Sequence, residues 1–321
     1  MSAKWVTFLL VLGLAAANGA NAGISGPTCR QARAGLQVLG SGGPMNPQGR
    51  ASTSYLLWWM GRPAILVDLG PGSVASLARA GVSLADIDLV LISHLHPDHV
   101  SDLPGLLWDE DVAGRNRPLV IVGPAGAGDF PGIQSYLERL FGAQGAFPFM
   151  RDILDPHSKF HVEVQMVDIT PVQRAPVRKE GGDLAISAYP VPHGKAPSLA
   201  YRIDAGGRSV VFASDQNGTD AGFAGFARQA DVLVLHTGLS AAAQKHPFAK
   251  SIGTPQSLAA LAAASGAKHV VLSHLMQAPS TDPQAGAFSL FDPNSLLAAV
   301  RSTYHGDVSL ASDLECVILD K

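Results

Sequence analysis

An α/β fold is predicted on three observations. Short apolar runs alternate with stretches of helical composition, Gly and Pro punctuate the junctions, and one apolar run after another stops at an Asp or a His. In an α/β sheet ligands collect at the carboxyl ends of strands, so the third observation bears on function as well as on fold. Composition agrees with a compact, turn-rich chain: hydrophobic residues reach 47%, charged residues only 15%, and there are 34 Gly and 22 Pro. With 321 residues the chain can bury a sizeable core as one large domain or two modest ones.

Taken in order, the N-terminus reads as a secretory signal. Lys4 precedes an apolar stretch over residues 5–17, and Ala20-Asn21-Ala22 is an A-x-A cleavage pattern. A membrane anchor needs about 20 apolar residues. Asn18 and Asn21 interrupt this run too soon, so cleavage after Ala22 is expected, leaving a periplasmic or secreted protein with no stable membrane insertion. In that oxidising setting the two cysteines, Cys29 and Cys316, allow a single pairing; two buried thiols are the other reading.

Leu36-Gln37-Val38-Leu39-Gly40 reads as a first strand, followed by the turn-rich Ser41-Gly42-Gly43-Pro44 and a second apolar run over 54–60. Arg62-Pro63 marks a hairpin, and Ala64-Ile65-Leu66-Val67-Asp68 is a third strand ending in an acid. Residues 73–80 have helical composition with Gly81 as their stop. Asp68 is either an orienting partner for a ligand histidine or a turn residue.

The next strand, Ile87-Asp88-Leu89-Val90-Leu91-Ile92, runs into Ser93-His94-Leu95-His96-Pro97-Asp98-His99. In extended backbone His94 and His96 project to one side, and a turn through Pro97 brings Asp98 and His99 behind them. Imidazoles with a carboxylate suit zinc and its first-row neighbours, and open positions at such a site convert bound water to hydroxide near neutral pH. With 11 His in 321 residues, this pattern arises by chance on the order of one time in a thousand, so the motif is read as a metal site.

Beyond it, a helix is expected to start near Asp102, a buried strand over 118–124, and a helix over 133–141. Phe147, Phe149 and Met150 either line a pocket or pack a helix onto the sheet. Strands follow over 161–169 and 184–191, the latter leading to His193, the third-ligand candidate, with 198–203 as its neighbour. Ser209-Val210-Val211-Phe212-Ala213-Ser214 ends at Asp215, a carboxylate able to bridge two metals. Asp231-Val232-Leu233-Val234-Leu235 ends at His236, and His269-Val270-Val271-Leu272-Ser273, after an Ala-rich helical stretch over 255–265, ends at His274. A lone histidine after a strand is an ordinary core or turn residue, but four successive strands ending in Asp or His supply the ligands the first motif lacks.

From Gly40-Ser41-Gly42-Gly43 and Asp68, through His94-x-His96-x-Asp98-His99, to His193, Asp215 and His274, the sequence resembles the metallo-β-lactamase superfamily of metallohydrolases. The resemblance covers nearly all of the mature chain. It implies one αββα four-layer sandwich over residues 23–321, with a two-metal site at one sheet edge. By the family pattern His94, His96 and His193 hold one metal, Asp98, His99 and His274 the other, and Asp215 bridges. A bridging Asp places the chain nearer the branch resembling ribonuclease Z, the bacterial arylsulfatases and the phosphodiesterases. Only 21 residues separate His193 from Asp215, so the long tRNA-gripping arm of ribonuclease Z is absent, and His236-Thr237 stands where that family shows His-Glu.

The expectation is a secreted hydrolase with two Zn²⁺ (Mn²⁺ or Fe²⁺ as alternatives), acting on a small ester, with phosphodiester or sulfate ester ahead of lactone. Asp98 would orient the nucleophile, and His236 would stabilise developing charge or protonate the leaving group. An iron-dependent dioxygenase of the same superfamily and a non-catalytic metal-binding module are the alternatives. Net charge of −3 with no Lys/Arg cluster argues for a small-molecule substrate and against a nucleic-acid partner; a homo-oligomer stays open.

Overall fold

The computed structural model describes residues 28–44, 49–179, 184–239, 247–276 and 293–319. The signal segment read over 1–22 lies outside the described residues. The strands in chain order are β1 (Ala34–Gly40), β2 (Ser54–Trp59), β3 (Arg62–Val67), β4 (Leu89–Leu91), β5 (Leu119–Pro124), β6 (Val162–Val167), β7 (Ala175–Lys179), β8 (Leu184–His193), β9 (Ala196–Ala205), β10 (Arg208–Phe212), β11 (Val232–His236), β12 (His269–Ser273), β13 (Asp307–Leu310) and β14 (Cys316–Ile318). The helices are α1 (Ser73–Arg79), α2 (Pro97–Val100), α3 (Leu103–Val112), α4 (Ile133–Phe141), α5 (Ala221–Phe226), α6 (Pro255–Ser265) and α7 (Pro293–Arg301).

The strands form two seven-stranded sheets, ordered β14-β1-β2-β3-β4-β5-β6 and β13-β12-β11-β10-β9-β8-β7. Side chains alternate between faces with period two, and each sheet is buried on both. On β2, Tyr55 and Leu57 face the second sheet while Leu56 and Trp58 face the helices. On β11, Val232 and Val234 face the first sheet while Leu233 and Leu235 face helices of their own. Three apolar layers follow. The central one joins the sheets through residues such as Leu36, Tyr201 and Phe212. The outer two seat Leu77, Leu103 and Leu137 of α1, α3 and α4 on the first sheet, and Phe223, Leu258 and Val300 of α5, α6 and α7 on the second. This is the expected αββα sandwich.

Strand direction then gathers the chemistry at one rim. β3, β4 and β5 run parallel, as do β10, β11 and β12. β8 is antiparallel to β9, and β9 to β10, so the two reversals point β8 the same way as β10. The residues that follow these strands all emerge at the same kind of end.

The hairpin between β2 and β3 turns two residues earlier than expected, at Met60-Gly61, both with positive φ (52° and 74°), while Arg62-Pro63 already pairs as the start of β3. Positive φ at both central residues is the turn that matches strand twist, and Gly61 allows it. Met150 is buried, whereas Phe147 and Phe149 are exposed and meet edge-on. A disulfide joins Cys29 to Cys316 across 287 residues, tying the start of the described chain to edge strand β14. Among the described residues no helix is long and apolar enough to cross a membrane.

Candidate metal centre

The site begins where β4 stops. Ser93 and His94 follow it, His96 is extended (φ −70°, ψ 146°) and caps α2, and the helix opens at Pro97, where proline's missing N–H costs nothing. The short helix swings Asp98 and His99 back under His94. Its close seat depends on Gly70, where a Cβ would lie 2.0 Å from the Asp98 carbonyl oxygen. The second sheet delivers His193 at the end of β8, Asp215 after β10 and His274 after β12.

These residues converge as two triads with a carboxylate between. His94, His96 and His193 bring their ligand atoms within 4.8 Å of one another, and so do Asp98, His99 and His274. A third group, His94, His99 and Asp215, draws one histidine from each triad. Asp215 Oδ2 is 3.6 Å from His193 Nε2 and 3.3 Å from His274 Nε2, and Oδ1 is 3.6 Å from His99 Nε2. Donors held at about 2.1 Å around a tetrahedral zinc ion lie roughly 3.4 Å apart, so the spacing is that of a ligand set.

Satisfaction of the polar atoms tests whether a metal fits. The Nε2 of His99 is fully buried and has no hydrogen-bond partner, although its Nδ1 lies 2.8 Å from Asp68 Oδ2. An orphaned imidazole nitrogen aimed at two carboxylates is costly unless something coordinates it. The same polarity recurs around the site. The Nδ1–H of His193 donates to Ser251 O (2.8 Å) and that of His274 to Thr237 O (3.1 Å), while His94 Nδ1 sits 3.1 Å from Ser93 Oγ. Each outer nitrogen is tied down and each inner one points at another member of the site, His274 Nε2 lying 3.1 Å from Asp98 Oδ2, which is how metal-binding histidines are oriented. His96 alone turns Nδ1 inward, 3.0 Å from His94 Nε2 and 3.2 Å from His193 Nε2.

Asp68 proves to be an orienting partner. It is buried, takes φ of 57°, and accepts from the Ser93 backbone N (2.7 Å) and hydroxyl (2.8 Å) as well as from His99. Ser214 and His274 also adopt positive φ, at 57° and 58°. Left-handed backbone at a non-glycine residue costs roughly 1–3 kcal/mol, and three such residues cluster where strands β3, β10 and β12 turn into the site.

Charge is distributed to match. Burial alone would raise the Asp215 carboxyl, but His274, His99 and His236 hold it well below the usual carboxylate range, and His99 and His274 do the same for Asp98. Burial works to deprotonate His99, yet Asp98, Asp215 and Asp68 raise it well above the ordinary imidazole value. Burial and the neighbouring His99 push His94 well below that value. Negative charge is thus concentrated on Asp98 and Asp215, where a cation would replace the protons that these carboxylates favour on His99 and His274.

His236 sits at the same rim in a different setting. It is 3% exposed, its Nδ1 lies 2.8 Å from Asp215 Oδ1, and its Nε2 lies 3.0 Å from the Tyr55 hydroxyl, itself 2.7 Å from Ser273 Oγ. Both ring nitrogens are therefore engaged inside the protein. Sequence reasoning missed Tyr55 because it lies within an apolar run, and gave Ser93 no role although it heads the histidine motif.

Three groups of possible ligand atoms thus meet at one rim of the sandwich. A ribonuclease Z from Clostridium tetani is 28% identical over 169 residues, 53% of this chain and 50% of that relative, so the chain spans about half the length of the protein it matches. Human tRNase Z, short form, superimposes over 89% of this chain and 100% of its own with a TM-score of 0.68 at 20% identity. The metallo-beta-lactamase fold protein YhfI from Bacillus subtilis gives 0.68 at 19% identity over 88% of this chain and 98% of its own. These two structural likenesses concern the fold. The relatives named ribonuclease Z correct one expectation from composition, that nucleic acid is excluded as a partner. Net charge describes the field of the whole surface, whereas bond cleavage depends on a buried local site, so a charge of −3 without a basic cluster does not decide against a nucleic-acid partner. The model of the beta-lactamase superfamily domain matches residues 64–275, the stretch that holds every candidate ligand from His94 to His274, and the chain belongs to that superfamily.

Proposed function

We propose that this protein hydrolyses phosphodiester bonds with two metal ions, zinc first among them. The observation that carries the reading is the pair of triads with Asp215 between them. His94, His96 and His193 would hold one ion, Asp98, His99 and His274 the other, with Asp215 shared. A metal pair here would supply Lewis acidity and an activated water for attack on the ester. Asp98, at the edge of burial (9% exposed), would orient that water. Asp68, through His99, and His236, through Asp215, keep the ligands in register.

Phosphodiesters are favoured over sulfate esters and lactones because the sequence relatives carry the name ribonuclease Z, and RNA stands beside small diesters among the substrates. The disulfide supports an exported protein, since such bridges persist in oxidising compartments. The test is elemental analysis of the purified protein combined with turnover of bis-nitrophenyl phosphate, nitrophenyl sulfate, a nitrophenyl-reporting lactone and a short RNA. Two zinc ions per chain with preference for a phosphodiester is the expected result. Iron with oxygen consumption, or one metal and no hydrolysis, overturns it.

A further inference from the structure

Of the candidate ligands, His96 alone is not buried, so the centre opens on its side. The neighbour it meets there is Phe130, with ring centroids 6.1 Å apart and planes inclined at 59°. Phe130 is half-buried and belongs to none of the three apolar layers. Its loop joins β5 to α4 at the rim where β4 delivers the histidines.

That loop is built to hold its tip still. Ala127 and Phe130 exchange both backbone hydrogen bonds, each 3.1 Å. At its neck Gly126 and Gly132 approach so closely that a Cβ on either would lie 2.8 or 2.6 Å from the other's backbone nitrogen. Ala125 N is fastened to Val167 O at 2.8 Å. An aromatic ring outside the core, on a pinned loop, beside the most open ligand, has the placement of a binding surface, because rigid aromatics give contact area at little entropic cost.

We propose that Phe130 is a stacking platform for a planar aromatic group, an aryl ring or a nucleobase, carried by an ester whose charged centre sits at the metal site. The assignment rests on the hydrolase reading above and adds the class of group the substrate carries. Offset or edge-on rings with centroids 4.5–7 Å apart gain roughly 2- to 10-fold in affinity beyond simple burial.

The test reads equilibrium binding to the metal-loaded protein, by calorimetry, with paired probes: phenylphosphonate against methylphosphonate, and adenosine monophosphate against ribose phosphate. Wild type is expected to prefer the aromatic member of at least one pair by about 3- to 10-fold. F130L, which keeps an aliphatic side chain against His96, and F130A should lose that preference at unchanged metal content, and F130W should retain it. The pair showing the larger Phe130-dependent preference identifies the group as aryl or nucleobase. No preference in wild type, or the same preference in F130L, overturns the platform. The hydrolase reading fails separately, if these probes bind but no ester is turned over.

Discussion

Asp215 Oδ1 and His236 Nδ1 lie 2.8 Å apart, and the far side of the same imidazole faces the Tyr55 hydroxyl at 3.0 Å. This gives His236 the geometry of a positioning residue, in place of the free proton donor that its place at a strand end suggested. Removing it in His236→Ala is expected to weaken metal binding about 10- to 100-fold, the usual cost of losing an outer partner of a ligand. His236→Asn, whose amide can still donate to the carboxylate, should recover part of the loss. A titration with a chromophoric chelator measures both; unchanged metal affinity with turnover lost 10²- to 10⁴-fold would restore the proton-donor role.

Asp215 faces both triads, so its removal should be felt by both. Asp215→Ala is expected to lower occupancy of the two metal positions together, whereas His193→Ala should first empty the one it shares with His94 and His96. Elemental analysis against protein concentration separates the two outcomes. One ion retained at full occupancy in Asp215→Ala would contradict a shared carboxylate.

The Cys29–Cys316 bridge closes a loop of nearly the whole described chain. Replacing both cysteines by serine is expected to cost about 5 to 6 kcal/mol in the chain-entropy model. That should lower the melting temperature by about 10 °C for a protein of this size. The groove these cysteines line contains none of the seven candidate ligands, so metal content should not change. A calorimetric scan of the double variant, with metal analysis of the same sample, checks both points.

Asp231 offers a pH test away from the site. Burial works to raise its carboxyl, but Lys268 Nζ (2.8 Å), the Ser209 backbone N (2.7 Å) and Arg208 outweigh burial and hold it below the ordinary carboxylate value. A carboxylate whose folded pKa lies below its unfolded one contributes stability that is present above the unfolded value and lost as pH falls through the folded one. Asp231→Asn should therefore destabilise the protein by about 1–3 kcal/mol at neutral pH. The difference from wild type should shrink once the pH drops below about 4. Urea unfolding at pH 7 and pH 3 measures it.

What could be read from the sequence was set by where chemistry and periodicity coincide. His94, His96, Asp98 and His99 form one dense motif, and His193, Asp215, His236 and His274 each close an apolar run, so the candidate ligands and an α/β fold were visible in the residues, while the αββα sandwich was implied by the resemblance those residues carry. β7, β13 and β14 were not, because strands of three to five residues carry no alternation long enough to detect. α5 escaped for a related reason: Ala221-Gly222-Phe223-Ala224-Gly225-Phe226 has the glycines of a loop, and tertiary packing of Phe223 and Phe226 makes it a helix. The partner of His236 was hidden too. Nothing in the run Ser54-Tyr55-Leu56-Leu57 distinguishes a tyrosine that packs from one whose hydroxyl crosses between sheets to reach an imidazole.

The two triads do not belong to one sheet each. His94 and His96 follow a strand of the first sheet and His193 a strand of the second, while Asp98 and His99 meet His274 across the same divide. Any ion held by either triad would act as a clasp across the seam between the halves of the sandwich, a seam otherwise closed at this rim by hydrogen bonds such as Tyr201 Oη to Ile92 O and Leu199 N to Ser93 O. Occupancy and resistance to heat become two readings of one quantity. At a hundredfold excess of ion over its dissociation constant the clasp adds about 2.7 kcal/mol. A melting curve followed through a chelator titration would then rank ions by how firmly each one closes the seam, before any substrate is known.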